Sequence, residues 1–219
     1  MTPKLMTFLA IGTILMGVPI CFVAKKYGIR IWKACIATIL LTVSGTAGTM
    51  LMYYIENGGI GGLSFYGAVF LVPVVFIFIS LLLRIPYGEI MDLCAVGECI
   101  MLALMKVHCI LGGCCIGRVL YTADDGTAVR FPSREVELVV ALILFAVLLR
   151  WALKKKHSGQ LYAWYLLLYG STRFVLNIFR EAWVVKTTLL PIGNIWSLIA
   201  IAIGTLWLAM VRKRAKLNE

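Results

Sequence analysis

Apolar residues gather along this chain in seven stretches, each about as long as a bilayer is thick. A spanning helix needs about 20 predominantly apolar residues at about 1.5 Å of rise each. The pattern predicts helices over 5–23, 35–55, 63–83, 90–111, 135–153, 160–179 and 190–211. The fourth stretch departs most from the pattern, because it carries Asp92, Glu98, Lys106 and His108 and ends in Gly112 and Gly113. A full span, a broken helix and a re-entrant segment all fit it, since each occurs where protein covers the backbone. The first stretch has only Lys4 before it, its positive cluster on the far side, and no small-residue cleavage pattern. It reads as a retained helix rather than a leader.

Composition agrees with the pattern. Apolar residues make up 62% of the 219 and the mean hydropathy is +0.96, against about half apolar in soluble domains. The expected class is an all-α integral membrane protein of about seven transmembrane helices, one polytopic domain over 1–219. No soluble domain or low-complexity linker interrupts it. Gly58, Gly59, Gly61 and Gly62 lead into the third span, and the longest polar connection, 112–134, has Asp124, Asp125 and Gly126 at its turn and Pro132 before the fifth span.

Charge adds an orientation. Lys25, Lys26, Arg30 and Lys33 follow the first span, Arg84 the third, Arg150, Lys154, Lys155 and Lys156 the fifth, and Arg212, Lys213, Arg214 and Lys216 the last. That places thirteen of the 21 basic residues on one side. Positive residues near helix ends resist translocation, so this side is expected to be cytoplasmic, with the N-terminus outside and the C-terminus inside. The net charge of +11 is then largely spent on anchors beside anionic headgroups, which argues against a nucleic-acid partner. Apart from Lys4, the remaining basic residues (Lys106, Arg118, Arg130, Arg134, Arg173, Arg180 and Lys186) lie within helices or at their outer ends, where orientation does not require them.

Arg173, Asn177 and Arg180 follow i, i+4, i+7 spacing, one face of a helix. A charge at mid-membrane costs from about 2.5 to above 10 kcal/mol, so these groups need partners or a wet cavity. A structural reading has Arg180 reaching the surface and Arg173 paired with Glu137. A functional reading makes them a guanidinium clamp on a lipid phosphate, for which the planar donor fork is shaped.

Several blocks, taken in order, resemble a known family. They are Gly61-Gly62-Leu63-Ser64-Phe65-Tyr66-Gly67, then Cys109 to Arg118 with Gly112-Gly113-Cys114-Cys115 at its centre. Pro132-Ser133 follows, with Glu137 five residues after the proline, then Tyr169-Gly170, Arg173-Phe174, Phe179-Arg180, Gly193-Asn194 and Ser197-Leu198. Over roughly 40–205 the chain is similar to bacterial prolipoprotein diacylglyceryl transferases, as a divergent and shortened member. That resemblance implies an enzyme of the bacterial plasma membrane with its active site facing outward. Such an enzyme moves the diacylglyceryl group of phosphatidylglycerol to an acceptor, in that family a lipoprotein cysteine thiol, and releases glycerol phosphate. It implies no cofactor, a membrane phospholipid and a lipoprotein precursor as partners, and no particular oligomeric state. Catalytic parts are implied for Tyr66, Lys106, Arg118, Glu137 and Arg173. Substrate contacts are implied for Gly62, Ser64, Gly67, His108, Gly113, Arg134, Asn177, Arg180 and Asn194.

The sequence also departs from the family's pattern. Tyr66 stands where the family has His, and Lys106 and Cys109 stand where its Gly-Arg-x-Gly-Asn block has Arg and Asn. Asn177 replaces a Glu, Asn194 a Gln and Met50 an Arg, and a short connection replaces a larger head between the fourth and fifth spans. Lysine still supplies a point charge for phosphate. Preorganised cations would be the chief catalytic device for a departing phosphate, with His108 or Tyr66 as candidate proton-handling groups and His157 a solvated loop residue.

Two other readings use the same residues. One is a lipid-binding or lipid-translocating protein that kept the cavity and lost the chemistry. The other is a membrane thiol oxidoreductase cycling Cys109 with Cys114 or Cys115. Cys21, Cys35, Cys94 and Cys99 are scattered in apolar segments and read as small hydrophobes. The C-x4-C-C group with His108 lacks the second paired knuckle of a zinc site, so no metal ligand is expected.

Overall fold

A computed structural model describes residues 3–124, 126–155, 159–180 and 191–217, with side chains described from Met6 to Lys213. Asp125, Lys156, His157 and Lys186, singled out above, lie outside the described residues. Among the described residues seven helices run in the predicted order: α1 Pro3–Tyr27, α2 Ile31–Asn57, α3 Tyr66–Leu83, α4 Tyr87–Gly112, α5 Ser133–Leu153, α6 Leu161–Ile178 and α7 Ile192–Leu217. Six are long and apolar enough to cross a bilayer; α6 is not among them. Its buried face, with Tyr162, Tyr165, Tyr169 and Asn177, packs chiefly on α7 and also meets α4 and α5. A helix surrounded by protein needs less apolar surface than one facing lipid.

The fourth stretch is one unbroken helix of 26 residues, which closes the choice in favour of a continuous helix. It is the most enclosed of the spans: 61% of its apolar window is buried, against 22% for α1 and 28% for α5. Its buried acids Asp92 and Glu98 are each held by hydrogen-bond donors. Asp92 accepts hydrogen bonds from the Tyr27 hydroxyl at 2.9 Å and from the backbone N–H groups of Gly159 at 2.6 Å and Leu161 at 2.9 Å. It thereby caps the orphan donors at the start of α6. Glu98 accepts from the Tyr162 hydroxyl at 3.0 Å.

The α2–α3 crossing is set by two glycines. A Cβ on Gly67 would lie 1.8 Å from the Gly48 carbonyl oxygen, and one on Gly48 would lie 2.4 Å from that of Gly67. Small residues here let the two backbones touch, as at other membrane helix interfaces.

The 112–134 connection holds a hairpin that hydropathy did not predict, so the protein is not wholly α. β1 (Val119–Thr122) pairs antiparallel with β2 (Ala128–Arg130). Gly126, at φ +83, supplies the left-handed turn. The hairpin is tied to the end of α6. Arg118 N–H donates to the Phe179 carbonyl at 3.0 Å, Gly117 bridges Arg180, and the Phe131 and Phe179 rings stack at 4.9 Å.

Candidate functional site

Near the ends of α4 and α6 and the start of α5, one carboxylate faces three cations. Glu137, 5% exposed, sits in the second turn of α5. Its Oε2 pairs with Lys106 Nζ of α4 and its Oε1 with Arg173 Nη1 of α6, while Arg180 Nη1, just beyond α6, lies 3.7 Å from Oε1. Three cations pair with one carboxylate, and Glu56, close enough to act on Arg173, offsets part of the positive excess. The i, i+4, i+7 face holds even though α6 ends at Ile178, because the bridge from Gly117 keeps Arg180 turned inward.

A second layer surrounds this cluster. The Tyr66 and Ser197 hydroxyls are 2.5 Å apart, and Ser197 donates to the Gly193 carbonyl at 2.8 Å. A hydroxyl has one proton, so Tyr66 is the donor to Ser197. Its ring lies against that of Tyr169, 5.7 Å between centroids. Among the buried polar atoms without a hydrogen-bond partner in the described residues, Arg173 Nε, Asn177 Nδ2 and Asn194 Oδ1 lie on the elements that form this site. Since buried polar groups are normally paired, these mark unused bonding capacity beside the cations. The cavity against Glu137, Tyr169, Thr172 and Arg173 is only about 10 Å³, roughly one water. A larger apolar groove of about 190 Å³ runs along α2 and α3, lined by Leu51, Met52, Ile55, Phe70 and Leu71.

The other predicted residues lie apart from the ion cluster. Arg118 is exposed and its guanidinium donates to the Ile178 carbonyl at 3.3 Å, so it fastens the hairpin rather than joining Glu137. His108 packs edge-on against Phe8 of α1 at 5.1 Å. Arg134 pairs with Glu135 at 3.6 Å. Gly113, at φ +68, is the left-handed C-cap of α4, and Gly62 lies so close to the Tyr53 ring that a Cβ would overlap it. Ser64 donates to Glu56 Oε1 at 3.0 Å. Glu56 escaped the sequence reading: a lone acid at the end of a span carries no spacing signal, and its link to Ser64 arises only when the glycine loop folds back.

At the end of α4, the Cys109 thiol points to Cys115, Sγ to Sγ 3.8 Å, and Cys114 Sγ lies 3.8 Å from the Cys109 carbonyl oxygen. The hydrogen bond from Cys109 and the charge of Lys106 outweigh burial and hold the Cys115 thiol below its ordinary range. Cys115 also adopts a left-handed backbone, φ +57.

Comparison with known proteins follows the same lines. The family model described as prolipoprotein diacylglyceryl transferase matches residues 5–210. A phosphatidylglycerol–prolipoprotein diacylglyceryl transferase of Dehalococcoides mccartyi is 30% identical over 144 residues, 58% of this chain and 55% of that protein. One from Wolinella succinogenes is 31% identical over 140 residues, 58% of this chain and 49% of that protein. The second such transferase of Clostridium perfringens is 24% identical over 168 residues, 66% of each chain. The chain spans about half the length of the first two of these relatives.

Proposed function

Because the chain belongs to the prolipoprotein diacylglyceryl transferase family, we propose that it transfers the diacylglyceryl group of phosphatidylglycerol to a thiol acceptor, a lipoprotein cysteine, with no cofactor. The observation that carries this reading is the cationic excess around Glu137. In the transfer, the acceptor sulfur forms a bond to the glyceryl carbon while the carbon–oxygen bond to phosphate breaks. The electron pair leaves with glycerol phosphate, and the thiol proton passes to solvent. Negative charge therefore grows on the phosphate, and positioned cations in a water-poor site lower that barrier.

Each residue has a part in this reading. Arg173 and Lys106 are preset by Glu137, which pays much of the cost of holding them in the membrane. Arg180, held only loosely at 3.7 Å, is free to turn from Glu137 to an arriving phosphate. Arg173 Nε and Asn177 Nδ2 supply two further donors. Tyr66, engaged with Ser197, keeps α3 registered on α7 beside the site, and the groove between α2 and α3 takes acyl chain. The thirteen-residue positive bias supports an outward-facing site in a bacterial plasma membrane.

The direct test uses purified protein, labelled phosphatidylglycerol and a cysteine peptide carrying a lipoprotein acceptor sequence. Release of glycerol phosphate with lipidation of the peptide is expected. Lipid bound without release would favour the lipid-binding reading, which the engagement of Tyr66 with Ser197 makes specific. For sidedness, a protease site inserted at Gly126 should be cut by protease added outside intact cells, and one inserted after Lys155 should not. The reverse would move the site to the cytoplasmic face.

A further inference from the structure

Where α4 ends, the backbone reverses and stacks three sulfurs. Cys109 lies in the last turn of the helix, Gly113 takes the left-handed cap, and Cys114 and Cys115 come back over that turn. Two hydrogen bonds hold the reversal: Cys114 N–H to the Cys109 carbonyl at 3.2 Å, and the Ser133 hydroxyl of α5 to the Cys115 carbonyl at 2.9 Å. All three Sγ atoms fall within 4.8 Å of one another, the one such convergence of metal-ligating side chains among the described residues.

The spacing suits a shared metal ion. Two thiolates bound to a tetrahedral ion at about 2.3 Å each stand about 3.8 Å apart, the Cys109–Cys115 separation found here. A disulfide needs its sulfurs at about 2.05 Å, so closing one would require a movement of well over an ångström. The ligand set is all sulfur, which selects soft closed-shell cations over hard ones. His108 is not the fourth ligand, since its ring is turned to Phe8. The exposed Cys114 leaves the fourth position open to solvent or to an incoming ligand.

We propose that Cys109, Cys114 and Cys115 form a binding site for one thiophilic cation, Zn(II) or Cu(I), with three protein thiolates and an open fourth position. Lys106 lies three residues before Cys109 on α4, and Ser133 opens the α5 turn that leads to Glu137. The bound ion therefore ties together the two helix ends that carry the ion cluster. Three thiolates with a divalent cation leave one net negative charge, which Lys106 helps to balance. The site stands whether or not the chain is a transferase, because its geometry uses none of the proposed lipid contacts.

The test takes the full-length protein in detergent, reduced and stripped of metal, and titrates it with Zn(II) against a chromophoric chelator and with Co(II) by absorption. One equivalent per chain, sulfur-to-cobalt charge-transfer bands, a higher melting temperature with Zn(II), and protection of three thiols from alkylation are expected. Cys114→Ser, at an exposed position, should weaken Zn(II) binding at least tenfold without unfolding the chain. Cys115→Ser should abolish it, and Cys35→Ser, in α2, should leave it unchanged. The proposal is overturned if no metal binds, or if Cys35→Ser lowers affinity while Cys114→Ser does not. It is equally overturned if the protein is isolated with a Cys109–Cys115 disulfide and takes up no metal once reduced.

Discussion

Two buried carboxylates, Asp92 and Glu137, meet opposite kinds of partner at two places in the bundle. Asp92, 0% exposed, accepts from a tyrosine hydroxyl and two backbone N–H groups, all neutral, and the hydrogen bonds engage both its oxygens. Its charge is spent on capping α6 and joining α1 and α4 to Gly159 and Leu161. Glu137 faces Lys106, Arg173 and Arg180 and is outnumbered by them, and donors near it remain unused. A carboxylate held by neutral donors of the surrounding helices is part of the scaffold. One embedded in surplus positive charge leaves room for a second anion, and in lipid the nearest abundant anion is a phosphate headgroup.

The largest expected effect comes from removing the carboxylate itself. Glu137→Ala leaves three cations without their shared counter-charge, and breaking a buried pair of this kind costs about 3–5 kcal/mol. Thermal melting in detergent should fall sharply and glycerol phosphate release should vanish. A variant that melts and turns over like the parent would remove the cluster from both roles.

Arg173→Lys sharpens the contrast, because it keeps the charge and loses the fork. If Arg173 holds the departing phosphate, turnover should drop by about two to three decades, about 2.7–4 kcal/mol of transition-state stabilisation, with melting little changed. Melting and turnover falling together would instead assign Arg173 the same scaffold role as Asp92.

Asp92→Asn is the converse. It sets an amide N–H₂ against donors and should cost about 1–3 kcal/mol of stability, while turnover per folded molecule stays constant. A loss of turnover at constant stability would show that the two carboxylates are not separated in function. A separate test lies at the α2–α3 crossing, where Gly67→Ala sets a methyl group 1.8 Å from the Gly48 carbonyl oxygen and the two backbones must part. Overpacking costs about 1–3 kcal/mol, visible as a lower melting temperature, and phosphatidylglycerol binding should weaken if the adjoining groove holds an acyl chain.

Hydropathy alone determined the order and approximate limits of the six helices apolar enough to cross a bilayer, because each such stretch must match the bilayer and satisfy its backbone internally. Sequence motifs also marked Lys106, Glu137, Arg173, Asn177, Arg180 and Asn194, since charged and amide groups within apolar segments stand out against their surroundings. The tertiary structure decided which of these share a site. Lys106 and Glu137 meet because α4 packs on α5, and Arg180 joins them only because a hairpin absent from the hydropathy pattern clamps the end of α6. Arg118 and His108 fall away from the cluster for an equally local reason, being turned toward the Ile178 carbonyl and the Phe8 ring. The convergence of Cys109, Cys114 and Cys115 could not be read from their spacing, because it depends on the left-handed turn at Gly113 that folds the chain back over its own helix. Burial against lipid is written residue by residue along a sequence, whereas the meeting of side chains depends on crossings and turns that only the packed chain possesses.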